Sequence, residues 1–492
     1  MQMSLHSIDI TIIVVYILGV AGFGAYFYRR ANSIEGFALG SRSLPGWALG
    51  LSILGTYLSS ISFLANAGKT YADDWNPFVF SLTLPVAAVI ASLVFIPFYR
   101  NGSYRTAYQH LEARFGYWAR GYASACLILL QISRIAVVLY LVVLAMDQLL
   151  GWQSDDNSQQ VYLMVGLGVL TILYTVVGGM EAVVWTDVVQ TIVLTFGALF
   201  CVGLLWVNLP VPINEALTIA TEAGKTSLGS FEWNGWQWLA EKGFWLVFLF
   251  GIIENLRNFG ADQNYVQRIL AAKTDRDAQV SLWMGALVYI PLSALFFLLG
   301  TMLWVFYTQQ PLPADFPATA DQVFPYFIVN ELPTGVTGLV IAAVLAAGMS
   351  TLDSSINASA NVWVTDFYCR FKGEVSEAAQ LTQIRIVTVV IGVLGIGFGL
   401  LMIGGSKSTL DVWWQISAAL GGGMLGVFLL AVFMPFVTAR GSMVGVASGI
   451  AVVFWGSFGD FPFNGLAVAP MATGTILFVA ALASVLLPKP AA

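Results

Sequence analysis

Thirteen apolar runs of spanning length constrain this 492-residue chain more than any other feature: 8–28, 44–71, 77–99, 119–150, 160–178, 182–207, 243–265, 278–307, 336–364, 384–403, 411–437, 442–458 and 468–487. Inside hydrocarbon the backbone has no water to bond, so each run must satisfy its own amides and carbonyls. Runs of about 20 residues match a spanning helix and are too long for barrel strands. The expected fold is therefore an all-α polytopic membrane protein of about 13 transmembrane helices. Composition agrees, because 58% hydrophobic and 10% charged residues lie outside the range of soluble domains. The lipid bilayer is the partner this implies. No soluble domain, low-complexity tract or nucleic-acid motif is present, and nothing implies an obligate protein partner.

Charge placement gives the orientation. The run Ile8–Phe27 lacks a basic leader and a small-residue cleavage site and is followed by Tyr28, Arg29 and Arg30, so it reads as a retained helix with its N-terminus outside. Thirteen spans then leave the C-terminus in the cytoplasm. Of the 21 basic residues, fifteen fall in segments this topology puts inside, among them Arg29, Arg30, Arg268, Lys273, Arg276 and Lys489. Four, Lys69, Lys225, Lys242 and Lys407, fall outside, while Arg134 and Arg257 lie within spans. That asymmetry is the positive-inside bias, and one missed span would have scrambled it.

Two spans look interrupted. The second, LSILGTYLSSISFLANAGKTY, is broken by Gly55, Thr56, Ser59, Ser60, Ser62 and Asn66; the seventh, FGIIENLRNFGADQNYVQR, by Glu254, Asn255, Arg257, Asn258, Gly260 and Asp262. Five spans separate them. Paired broken helices at matching positions of two halves point to a transporter's central site, where unwound backbone offers carbonyls to a cation and amides to an anion.

The segment LAAGMSTLDSSINASANVWVTD, Leu345 to Asp366, sits in an apolar stretch yet carries Ser350, Asp353, Ser354 and Asn357 at i, i+3, i+4 and i+7, one face of a helix. Hydroxyls with a carboxylate suit a small hard cation; they also suit a polar seam between helices. In GGMEAVVWTDVVQ, residues 178–190, Gly178 and Gly179 permit a tight turn, and Asp187 lies about two turns into the next helix. An intramembrane carboxylate costs about 2.5–3.5 kcal/mol on insertion scales and is a functional candidate, unless the helix N-terminus simply favours it. The cysteines, Cys126, Cys201 and Cys369, show no paired spacing, and His6 and His110 are the only histidines. No catalytic cluster, disulfide framework or zinc site follows. Trp47, Trp413 and Trp414 read as interfacial anchors or packing.

The segments GGMEAVVWTDVVQ, AAGMSTLDSSINA and NFGADQNYVQRILAAKT, in this order within the thirteen-span layout, resemble the sodium:solute symporter family over essentially the whole length. The resemblance implies one transporter domain with an inverted five-plus-five repeat core: a leading helix at 8–28, repeats at 44–207 and 243–437, and trailing helices at 442–487. It also implies a main sodium site from the carbonyls of Gly55, Leu58 and Ala347 and the hydroxyls of Ser350 and Thr351. Some members carry a further sodium site, which maps here to Asp187, Ser350, Asp353 and Ser354. Asp353 stands where those members have a Ser, so it either strengthens cation binding or, protonated, donates a hydrogen bond. The solute site maps to Tyr57, Ser59, Ser60, Ser62, Ser81, Arg134, Asn255, Asn258 and Phe259. The bacterial sialic acid branch shares an Arg at the position of Arg134 and the pair Ser59–Ser60, but Tyr57 and Ser81 replace its Thr and Gln. The sugar-transporting branch matches Asn255, with Asn258 in place of its gating Tyr.

A guanidinium at mid-membrane depth clamps a carboxylate bidentately, or else pairs with a protein carboxylate or carbonyl. Arg257 reads as a second anion ligand or as part of an outer gate with Asp73, Asp74 or Glu254. The expected activity is sodium-coupled import of a small polar organic solute, a carboxylated sugar such as sialic acid, across a bacterial inner membrane. A neutral monosaccharide or another organic anion is the alternative cargo. A passive channel or a membrane-embedded enzyme is the reading from another class; the missing His, Cys or metal-ligand cluster argues against the enzyme.

Overall fold

The computed structural model describes the chain except residues 1–4, 28–31, 103, 151–156, 315, 318, 405–408 and 488–492. Arg29, Arg30, Lys407 and Lys489 therefore lie outside the described residues, as does Tyr28. Fourteen helices carry the architecture: α1 Ser7–Tyr26, α2 Gly46–Tyr57, α3 Asn66–Ala72, α4 Asn76–Arg100, α5 Tyr117–Leu150, α6 Ser158–Asn208 and α7 Phe244–Ala261. They continue with α8 Gln263–Ala271, α9 Asp275–Thr308, α10 Val336–Val362, α11 Glu377–Leu400, α12 Thr409–Phe433, α13 Ala439–Phe458 and α14 Val468–Leu486. Shorter helices fill the connections, and no strand occurs among the described residues.

Ten of the described helical spans are long and apolar enough to cross a membrane, eleven counting α2 with the turn and helix that follow it. The expected fifth and sixth spans are the two helices of α6 that meet at Gly179, whose φ of 60° and ψ of −164° is a conformation for glycine. The seventh, α7 and α8, is interrupted by Glu254, Asn255, Arg257, Asn258 and Asp262, so neither half is a long apolar run. It also runs further than the sequence suggests, ending at Ala271 rather than 265.

Both expected interruptions are present. After Tyr57 the helix opens at Leu58 and Ser59, passes through a π-turn at Ile61–Ala65, and continues into α3 at 57° to its first half. At Asp262 the backbone extends (φ −82°, ψ 119°) between α7 and α8, and the Asp262 side chain accepts the Asn264 amide at 2.9 Å, a Ncap interaction.

The ion-site helix α10 is the most enclosed element: nearly every residue from Gly338 to Val362 is buried, against α5, α6, α11 and α1. Its first amides are held by α1, because Asp9 Oδ1 accepts from Gly335 N (2.7 Å) and Gly338 N (2.8 Å). Below α10, Arg120 on α5 bonds Asp366 at 2.6 Å and Glu112 at 2.6 Å, closing that end of the bundle with buried charge.

Candidate sodium and solute sites

The break after α2 frees carbonyls, and their fates differ. Thr56 O accepts the Arg134 guanidinium at 2.6 Å. Tyr57 O accepts the Ser62 hydroxyl at 2.9 Å and the Ser59 amide at 3.1 Å. Gly55 O loses its helical donor, because Ser59 N has turned to Tyr57 O, and among the described residues Leu58 O receives no amide either. These two unpaired carbonyls are among the oxygens the family resemblance nominates. Ser350 of α10 stands beside Gly55: a methyl placed there would fall 3.1 Å from Ser350 Oγ and 2.5 Å from Thr191 Oγ1. Thr351 Oγ1 lies 3.2 Å from Ala347 O, one turn earlier. The structure thus groups Gly55 with Ser350 and Thr351 with Ala347. Unpaired backbone oxygens and hydroxyls are the donor set a hard monovalent cation takes.

Asp187 is fully buried on α6, next to this group. Its carboxylate accepts the hydroxyls of Ser350 and Ser52. It also pairs with Arg268 of α8 at 2.8 Å. The same guanidinium donates to Ser354 Oγ (2.7 Å), Ser52 Oγ (2.7 Å) and Asn264 O (2.6 Å). Arg268, expected in a cytoplasmic segment, is instead 1% exposed inside the bundle. The correction follows from the extra turn of α8 beyond 265. Asp353 turns the other way: its Oδ2 accepts Tyr174 OH at 3.1 Å, its Oδ1 lies 3.4 Å from Ser354 Oγ, and no basic side chain pairs with it among the described residues. Asp187, Ser350, Asp353 and Ser354 do converge, with Arg268 between Asp187 and Ser354. Ser52, Arg268 and Tyr174 are the members that sequence reasoning missed. An intramembrane carboxylate demands a partner, and that demand was the available signal.

Beside the break lies a cavity. Six of the nine expected solute residues line it: Tyr57, Ser59, Ser62, Ser81, Arg134 and Asn258. Three stand behind it. Ser60 donates to Val138 O at 3.3 Å. Asn255 bonds Phe80 O and Thr83 Oγ1 and accepts from Tyr57 OH at 3.2 Å, so it positions the Tyr57 ring. Phe259 is fully buried, its ring 5.8 Å from that of Tyr57.

Arg134 is 8% exposed. One guanidinium nitrogen is held by Thr56 O, its face lies 5.7 Å from the Trp413 ring, and its enclosed Nε has no partner among the described residues. Arg257, by contrast, is fully engaged, with Glu254 at 2.8 Å, Asp262 at 3.2 Å and Ser417 at 3.3 Å. Of the readings open for it, the pair with Glu254 is the observed one; Asp73 and Asp74 play no part. Trp413 and Trp414, read as interfacial anchors or packing, are packed: both line the cavity, and Trp414 stacks on Phe80 at 6.0 Å.

Similarity to known proteins extends over nearly the whole chain. Residues 37–449 match the model of the sodium:solute symporter family. The chain is 31% identical over 490 residues to the sodium/sialic acid symporter SiaT of Proteus mirabilis, covering 96% of each chain. It is 31% identical over 446 residues to the sodium/sialic acid symporter NanT of Aliivibrio fischeri, covering 89% of this chain and 86% of the other. Among solved structures it superposes on a substrate-bound, outward-open Na+-coupled sialic acid symporter that reveals a novel Na+ site. The TM-score is 0.90 at 28% identity, over 98% of this chain and 99% of that one.

Proposed function

The chain belongs to the sodium:solute symporter family, and from that premise we propose that it imports a carboxylated sugar such as sialic acid together with sodium across a bacterial inner membrane. The N-terminus faces outside and the C-terminus the cytoplasm. The repeats are 44–207 and 243–437, flanked by the leading helix at 8–28 and the trailing pair at 442–487.

The observation that carries the solute assignment is Arg134 itself, a guanidinium that lines a cavity walled by hydroxyls and aromatic rings and has no carboxylate partner among the described residues. A buried cation without a counter-charge is a receptor for an anion. The hydroxyls of Ser59, Ser62 and Ser81 and the amide of Asn258 suit the remaining polar atoms of a sugar acid. Gly55, Leu58, Ala347, Ser350 and Thr351 hold the main sodium, supported by the two orphan carbonyls at the break. A second sodium sits at Asp353 and Ser354. Arg268 pairs with Asp187 and leaves Asp353 without a basic partner among the described residues, which suits a cation there. Asp187 itself already has its counter-charge and acts through Ser350. Sodium is cargo here, and nothing in either site requires bond-making chemistry.

Magnitudes fit this division. One sodium crossing ~100 mV down a tenfold gradient releases about 2.3 plus 1.4 kcal/mol. A monoanion entering with one sodium cancels the voltage term and is concentrated only about tenfold; a second ion restores it.

The test is binding to purified protein of sialic acids, other organic acids and neutral sugars, each in sodium and in potassium. Sodium-dependent binding restricted to carboxylated sugars and lost in Arg134→Ala is the expected result. A specific observation, the bond from Arg134 to Thr56 O, favours the second reading: a neutral-sugar symporter in which this arginine only braces the break. Neutral sugars that bind with sodium and survive Arg134→Ala would establish that reading instead.

A further inference from the structure

A second polar pocket adjoins the solute cavity and shares Trp414 with it. Lys69, Lys242, Asp411, Gln415 and Asn464 supply its polar lining. They come from the last turn of α3, the residues just before α7, the first two turns of α12 and the link between α13 and α14. The proposed topology puts all four places outside, so the pocket is the outer neighbour of the cavity. Helix α3 joins the two, presenting Asn66 to the cavity and Lys69, one turn further out, to the pocket.

One carboxylate in this pocket, Asp411, receives two ammonium groups, from Lys69 at 2.9 Å and from Lys242 at 3.1 Å. Lys69 also meets Asp73 at 2.7 Å, and Lys242 lies 5.1 Å from the Trp414 ring. An ammonium has three donors; among the described residues Lys69 reaches two acceptors and Lys242 one. The group is reachable from water, with side-chain exposures of 16% for Lys69, 28% for Lys242 and 34% for Asp411. Ion pairs as wet as these are weak, so a second carboxylate can exchange with Asp411 at little cost. The Trp414 ring and the amides of Gln415 and Asn464 line the same pocket, and they suit the ring and hydroxyls of a sugar acid.

We infer that this pocket is an entry subsite: the carboxylate of an incoming acidic solute takes the place of Asp411 on Lys69 and Lys242 before the solute passes Trp414 and reaches Arg134. This rests on the proposed carboxylated-sugar cargo and adds to it a second, weaker binding place outside the first. Cations at a mouth raise the encounter rate of an anion, and Asp411 keeps them paired when no solute is there. None of the proposed sodium ligands lines the pocket, so binding there does not depend on sodium.

The test is binding of sialic acid to the full-length protein in potassium, where the sodium-dependent site at Arg134 is silent, read by ligand-detected NMR. Wild type should show weak, saturable binding that added salt reduces. Lys69→Gln and Lys242→Gln should each weaken it about two- to fivefold, the worth of an exposed ion pair, and Lys242→Arg should keep it. Asp411→Asn should strengthen it by a similar factor, because a competing carboxylate is gone; an Asp411 that merely braces α12 predicts no gain. Arg134→Ala in sodium should repeat the whole pattern with the inner site removed. Binding that ignores the lysines, or that gains nothing in Asp411→Asn, overturns the inference. Sodium-dependent binding to wild type with none in potassium sinks the subsite alone. Absence of sialic acid binding in both salts sinks it together with the proposed cargo.

Discussion

Arg268 and Asp187 form a buried charge pair 2.8 Å apart, with exposures of 1% and 0%. Such pairs are costly to leave half-made: removing one partner typically costs about 3–5 kcal/mol, because the other stays buried and unpaired. Arg268→Gln should therefore lower the thermal unfolding midpoint in detergent strongly. The double variant Arg268→Gln, Asp187→Asn should lose less than the sum of the two single changes. Ser350 and Thr351 predict a different signature. Ser350→Ala should weaken sodium binding about tenfold or more, the loss of one ligand oxygen, while solute affinity at saturating sodium stays near the wild-type value; sodium titrations of solute binding would show it. Half of this cluster was legible in the sequence. A carboxylate in an apolar run is conspicuous, as Asp187 and Asp353 were. Arg268 was not, because hydropathy closes the seventh span before α8 ends, and a linear charge count cannot see which way a side chain turns.

The breaks in α2–α3 and α7–α8 were legible as elements for a physical reason: glycines, hydroxyls and amides interrupt an apolar run that a membrane would otherwise demand. The bend within α6 was legible from its glycine pair. Gly179 at φ 60° would also bring an added methyl within 3.0 Å of the Phe37 backbone. Gly179→Ala should cost at least the ~1–2 kcal/mol of a left-handed L-residue. Gly397→Ala on α11, where nothing lies within 4 Å, should stay within about 0.5 kcal/mol of wild type. Comparing the two unfolding midpoints checks the assignment. Facing was harder to read than breakage. Trp413 and Trp414 read as interfacial anchors or packing because tryptophan favours that depth; that α12 sets both along the cavity was not legible. Glu254 read as a polar interruption and as one candidate partner of Arg257; its bond from Ser417 was not legible because it joins two distant helices.

For the whole molecule the quantity that matters is charge moved per cycle. Two sodium ions with a monoanion carry one net positive charge inward, so uptake in proteoliposomes should produce a current and accelerate with inside-negative voltage. One sodium per solute in wild type and in Asp353→Asn alike would remove the second ion. The overall layout was largely legible, since the bilayer leaves a chain of this composition few options; the grouping of oxygens was not, since it depends on α2, α6, α8 and α10 meeting. One small contact joins the two cargoes. Arg134 lines the cavity while one of its nitrogens holds Thr56 O, the carbonyl between Gly55 and Leu58 in the chain. Anything that reorients that guanidinium tilts the peptide units flanking the sodium ligands, and the converse holds. The two equilibria are then thermodynamically reciprocal: sodium must tighten solute by the same factor that solute tightens sodium. Arg134→Lys, which shortens the bridge without removing the charge, should shrink both factors together.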